Sequence, residues 1–80
     1  MTALELLGAT IRRHRKRLRL TQKQLAAKTG LDPTYLSQVE RGRRNLTAQS
    51  LFRITAALQC KLSHLVQPLD DHDELTSQNE

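Results

Sequence analysis

The chain has no tryptophan, one phenylalanine, one tyrosine, one cysteine and three glycines among its eighty residues. A lone cysteine excludes an internal disulfide framework, and so few glycines leave no glycine-rich phosphate cradle. Acids are scarce as well: before Pro68 there are only Glu5, Asp32 and Glu40, and no Ser-His-Asp or Cys-His arrangement sits in a recognisable loop. Enzyme activity is therefore not expected. No stretch is long or apolar enough to cross a bilayer and no secretory leader is visible, so a cytoplasmic protein without membrane contact is expected. Eighty residues permit one small domain. Such a domain buries only about 60% of its unfolded surface, which leaves little room for a cleft beside a core.

Metal ligation fares no better. Cys60 and His64 have a possible ligand spacing, but His14 and His72 would have to complete the set and no paired motif joins them. Cys60 is expected to pack as a small hydrophobe and His14 as a partly buried polar residue, with no metal and no cofactor.

What the chain has in quantity is positive charge, unevenly placed. All thirteen Lys and Arg lie between Arg12 and Lys61, whereas five of the eight acids (Asp70, Asp71, Asp73, Glu74 and Glu80) lie beyond Pro68. Residues 1–67 thus carry thirteen positive and three negative charges, net +10, and the last thirteen residues carry −5. A body this basic favours a polyanion, because phosphate contacts release condensed counterions.

Between Thr21 and Gly42 the sequence reads as two short helices joined by a glycine turn. Thr21 and Gln24 form a capping box, and Leu25 and Ala26 face inward. Gly30 ends the first helix where a left-handed residue is needed, and Asp32-Pro33 starts the next as cap and first helical position. In the second helix Leu36, Val39 and Glu40 share one stripe, while Thr34, Ser37, Gln38 and Arg41 share the other. The first stripe packs. The second is polar and has no core to enter.

The spacing of Ala26, Gly30, Leu36 and Val39, counted from Gln22, resembles the phage-repressor and Cro-like helix-turn-helix (Xre) family. The resemblance runs from Leu7-Gly8 and Ile11 to the Leu58–Val66 segment, covering about residues 4 to 67. The run Leu31-Asp32-x-Thr34-Tyr35-Leu36-Ser37-x-Val39-Glu40-Arg41-x-x-Arg44-Asn45 is similar to the restriction-modification controller proteins and related small regulators. It departs from them at Pro33, where controllers often carry Arg, and at Gln38, where they often carry Gly, so no operator sequence carries over. The resemblance implies an all-α, five-helix lambda-repressor-like domain and a sequence-specific regulator that binds double-stranded DNA. It also implies that Arg41, Arg43, Arg44 and Asn45 grip the DNA backbone.

Periodicity supplies the remaining elements. Leu4, Leu7, Ile11, Arg15 and Leu18 form a stripe on helix 1, with Arg12, Arg13, Lys16, Arg17 and Arg19 mostly outside it. An Arg on a packing face needs a partner, since a buried unpaired charge costs several kcal/mol. Asp32 serves as a cap and Glu5 lies nearly three turns away, which leaves Glu40; the family pattern independently implies the same Arg15–Glu40 structural pair. Thr47 caps a fourth helix with Leu51, Ile54 and Leu58 as its stripe. Leu62, Leu65 and Val66 fit a short fifth helix before Pro68, although Cys60, Leu62, His64 and Val66 also alternate as a strand would in strand-exchanging antitoxin relatives. The expected domain is residues 1–67, followed by an acidic, disordered tail over 68–80.

The base-reading candidates are Pro33, Thr34, Ser37 and Gln38. Gln can bond adenine through N6 and N7, Thr and Ser can approach a thymine methyl or either base, and Pro33 offers only apolar contact. Gln22, at a positive helix terminus, suits a phosphate oxygen. Tyr35 could place its hydroxyl on a phosphate or pack its ring on the neighbouring helix. One recognition helix reaches only a few base pairs, so a homodimer on a pseudo-palindromic operator is expected, with Phe52, Leu62, Leu65 and Val66 as interface candidates. The alternative function is an antitoxin or adaptor whose helix-turn-helix serves an unknown protein partner.

Overall fold

The computed structural model describes residues 1–70. Five helices follow one another: α1 (Ala3–Arg17), α2 (Gln22–Thr29), α3 (Pro33–Glu40), α4 (Ala48–Ala57) and α5 (Leu62–Asp70), with no strand among the described residues. Four of them open on a side chain that accepts a backbone N–H left without a helical partner. Thr2 with Glu5 and Thr21 with Gln24 form reciprocal capping boxes. Asp32 Oδ1 accepts the Thr34 and Tyr35 N–H groups at 2.7 and 3.2 Å, and Thr47 Oγ1 accepts that of Ser50 at 3.0 Å.

The first four helices also stop in one way. The residues after their last turns, Arg19, Gly30, Gly42 and Gln59, all have positive φ, between 55° and 73°. Behind each, the next N–H returns to a carbonyl five residues back: Leu20 to Arg15, Leu31 to Ala26, Arg43 to Gln38 and Cys60 to Thr55. This closure satisfies carbonyls that the helix end would otherwise orphan. Two of the four sites are not glycine.

The core is Leu7, Ile11, Leu25, Ala26, Leu36, Val39, Ile54, Leu58 and Leu65. α1 packs against α3 and α5, α2 against α3 and α4, and α4 against α5. The approach of α1 to the end of α3 is close enough that a Cβ on Gly8 would lie 2.7 Å from the Glu40 carbonyl oxygen. Thr10 is fully buried beside it, its hydroxyl donating to the Leu6 carbonyl at 2.9 Å. Leu18, expected on the α1 stripe, is exposed instead, because the helix has ended at Arg17 and Leu18 serves as its C-cap.

At the C-terminal end the helix prevails over the strand. Leu65 is fully buried and Leu69, one turn on, packs against the core, so burial follows a helical period through this segment. α5 continues through Pro68 to Asp70, and the expected boundary between residues 67 and 68 therefore falls inside a helix. Proline there removes one N–H···O bond, while Leu69 adds apolar burial against the core. The acidic stretch from Asp71 onward, with His72, lies outside the described residues.

Candidate nucleic-acid interface

Two anchors set the orientation of α3. Leu36 and Val39 fill the core, and Glu40 at its last turn is held by Arg15 of α1. Arg15 Nε donates to Glu40 Oε2 at 2.7 Å and Arg15 Nη2 to Oε1 at 2.9 Å, so one edge of the guanidinium meets both carboxylate oxygens. A third donor, Nη1, bonds the Leu20 carbonyl at 2.8 Å. The pair is buried yet satisfied, which makes an otherwise costly buried charge tolerable. With that face fixed inward, Pro33, Thr34, Ser37 and Gln38 fall on the other side of α3: the first two are exposed and the last two half-buried.

Arg41, Arg43, Arg44 and Asn45 follow directly, all exposed. Their chain path is set by Gly42, whose left-handed turn lies against the start of α1; a Cβ there would come within 2.5 Å of Glu5 Cα. Tyr35 is half-buried. Its hydroxyl donates to the Asn45 carbonyl at 2.9 Å, and the Arg44 guanidinium lies 5.2 Å from its ring centroid. The ring packs against the core, and the hydroxyl braces the loop that carries the arginines. Arg44 Nη1 also donates to Gln38 Oε1 at 3.0 Å, which joins a base-reading candidate to a backbone-gripping one.

Gln22 stands at the start of α2, but its side chain turns toward the ion pair, where Nε2 donates to Glu40 Oε1 at 3.1 Å. Thr21, Gln22, Arg15 and Glu40 line a surface hollow of about 420 Å³ together with Arg12 and Arg41. The Gln22 and Lys23 N–H groups at the head of α2 have no carbonyl of their own helix to bond. The guanidinium groups of Arg12 and Arg41, which have no carboxylate partner among the described residues, suit a phosphate beside such a terminus. Arg12 is the residue that sequence reasoning passed over. It lies one turn before Arg15, so pairing Arg15 with Glu40 would have placed Arg12 near α2 and α3.

The interface candidates divide. Phe52 is 58% exposed, Leu62 is at the surface and Val66 is half-buried, whereas Leu65 has no exposed area and belongs to the monomer core. Leu65 is removed from the set because the face of α5 that carries it is the one laid on the other helices. Among the described residues no group of three or more His, Cys, Asp or Glu is placed to hold a metal ion. Burial pushes the Cys60 thiol up, and the His14 imidazole is pushed down by burial, with Arg17, Arg13 and His64 adding to the effect.

Residues 11–65 match the helix-turn-helix (HTH_3) family model. The chain is 38% identical over 71 residues to the HTH-type transcriptional regulator y4dJ of Sinorhizobium fredii, covering 89% of this chain and 92% of that one. The crystal structure of the restriction-modification controller protein C.AhdI from Aeromonas hydrophila superposes with a TM-score of 0.76 at 34% identity, covering 78% of this chain and 94% of that one. The controller C.Esp1396I bound to a 19 base pair DNA duplex superposes with a TM-score of 0.78, also at 34% identity, covering 89% and 95%.

Proposed function

The chain belongs to the Xre-like helix-turn-helix family and is a DNA-binding transcription regulator, and we propose that it seats α3 in the major groove of a pseudo-palindromic operator as a two-fold dimer. The observation that carries this is the polar, partly exposed face of α3, Thr34, Ser37 and Gln38, continued by the exposed Arg41, Arg43 and Arg44. A polar helix face held rigid by a buried ion pair, with cations at its end, fits base edges in the groove and phosphates at its rim. Arg12, Gln22 and Arg41 receive one such phosphate at the head of α2. Arg43, Arg44 and Asn45 lie along the backbone further on.

The dimer surface is Phe52, Leu62 and Val66 on α4 and α5. Phe52 and Leu62 are large apolar side chains left exposed on the monomer, and they lie on helices that carry none of the base-reading candidates. No catalytic step and no cofactor enter this account. No described helix is long and apolar enough to cross a membrane. Action on DNA would place the chain in the cytoplasm.

Selection of bound sites from random duplex DNA tests the whole arrangement. The winners should be inverted repeats with half-site centres about 34 Å apart, one turn of the duplex. Single, unrepeated half-sites among the winners would overturn the two-fold arrangement, and no enrichment at all would overturn α3 as a reader.

A further inference from the structure

Gln38 sits on the outward side of α3, and its amide can meet a base in two ways. With both ends turned to one base edge it accepts from adenine N6 and donates to N7; with the NH2 end alone it donates to acceptors. Arg44 decides between them. Its Nη1 lies 3.0 Å from Gln38 Oε1, and because a guanidinium has donors only, the end of the amide that faces it is the carbonyl. The contact is not a loose one. Arg44 is stacked 5.2 Å over the Tyr35 ring, and the Tyr35 hydroxyl is tied at 2.9 Å to the carbonyl of Asn45, next to Arg44 in the chain. Gln38, Arg44, Tyr35 and Asn45 thus form one braced unit.

Resting on the assignment of Gln38 to the base-reading face, we infer that Arg44 is a positioning residue that makes Gln38 a donor-only reader, specific for the acceptor edge of guanine rather than for adenine. Two physical effects act together. Arg44 fills one of the two acceptor positions of the Gln38 carbonyl and draws that end toward the Tyr35 side, which disfavours the two-ended pairing with adenine. The fixed cation next to the amide also repels the exocyclic amino groups of adenine and cytosine and favours guanine, which presents N7 and O6 as adjacent acceptors.

The test uses the full chain and site selection from random duplex DNA, repeated for Gln38→Ala, Gln38→Glu and Arg44→Ala. The position read by Gln38 is the one whose preference disappears in Gln38→Ala. There the parent should select guanine. Gln38→Glu keeps an acceptor for Arg44 but has no amide donors, and should lose about tenfold affinity for guanine at that position. Arg44→Ala frees the carbonyl and should move the preference there from guanine to adenine, besides weakening all sites. Adenine in the parent's site, or an Arg44→Ala protein that loses affinity with its base preferences unchanged, overturns the inference. So does a Gln38→Ala protein that keeps every preference. A parent that enriches no site refutes the regulator arrangement itself, and this inference with it, a result distinguishable from each of the others.

Discussion

Arg15 of α1 and Glu40 of α3, twenty-five residues apart, meet through two parallel hydrogen bonds at 2.7 and 2.9 Å, with 9% and 2% of their side chains exposed. Glu40 is one turn from Leu36 and follows Val39, so the pair fixes the rotation of α3 about its own axis as well as its distance from α1. The outward face, which we propose reads DNA, is the complement of this anchored one.

Glu40→Ala leaves Arg15 buried with only the Leu20 carbonyl, and should cost about 3–5 kcal/mol in urea or thermal unfolding. Replacing both residues by Met removes the charges together, and that double variant should lie above either single one in stability. Equal stability of Glu40→Ala and the parent would show that the pair does not hold the fold.

Reading and gripping should separate in salt. Arg43→Ala is expected to weaken specific and random DNA alike and to lower the slope of log affinity against log salt by about 0.9. Ser37→Ala should instead change preference at one base position and leave that slope in place. Titrations at several salt concentrations on both kinds of duplex check this, and a change of slope in Ser37→Ala would move it to the backbone contacts.

Phe52→Asp should give a folded monomer that binds a full palindrome no better than a half-site, since Phe52 is 58% exposed. Leu65→Asp should instead unfold the domain, because Leu65 has no exposed area and a carboxylate there has no partner. Sedimentation and circular dichroism distinguish the two results. A Phe52→Asp protein that remains dimeric would place the interface elsewhere.

Backbone geometry makes opposite predictions for two sites. Gly8→Ala drives a methyl into the Val39 and Glu40 carbonyls and should destabilise by about 3 kcal/mol, the upper range for overpacking, because backbone cannot swing aside. Gln59→Gly relieves a left-handed residue at φ 55° and should stabilise by about 0.5–1 kcal/mol. Chemical denaturation of both variants is sufficient to check the signs.

Below its ordinary value near 6.5, His14 should lend the domain an acid sensitivity. Burial disfavours the imidazolium, helped by Arg17, Arg13 and His64, so the folded state holds fewer protons than the unfolded chain in this range. Stability is then full above about pH 6.5 and falls as the pH drops toward the lowered folded value. His14→Gln should flatten that part of a stability-against-pH curve; an unchanged slope would assign it to other groups.

Much of this molecule is local, and local features are legible in a sequence. The caps at Thr21, Asp32 and Thr47, the left-handed turn at Gly30 and the two stripes of α3 each depend on residues within one or two turns of each other, where side-chain reach and helical period leave few alternatives. The Arg15–Glu40 pair was legible for a different reason: with so few acids in the body, only one was free to neutralise a buried arginine.

Other features needed the tertiary structure. Left-handed ends at Arg19 and Gln59 carry no glycine to announce them. Pro68 reads as a stop, yet α5 passes through it, with Leu69 beyond it against the core. Arg12 joins the head of α2 only through the crossing of α1 and α3, and Leu65 rather than Leu62 is buried only because of the side α5 turns inward. The direction of the Gln38 amide depends on a guanidinium six residues away, beyond the turn at Gly42. The sequence by itself determined that the segments up to Leu58 are helical and which polar face would be left over, because propensity, capping and period act over a few residues. The tertiary structure decided which side chains share that face and which way their donors point, because those depend on where separate helices cross.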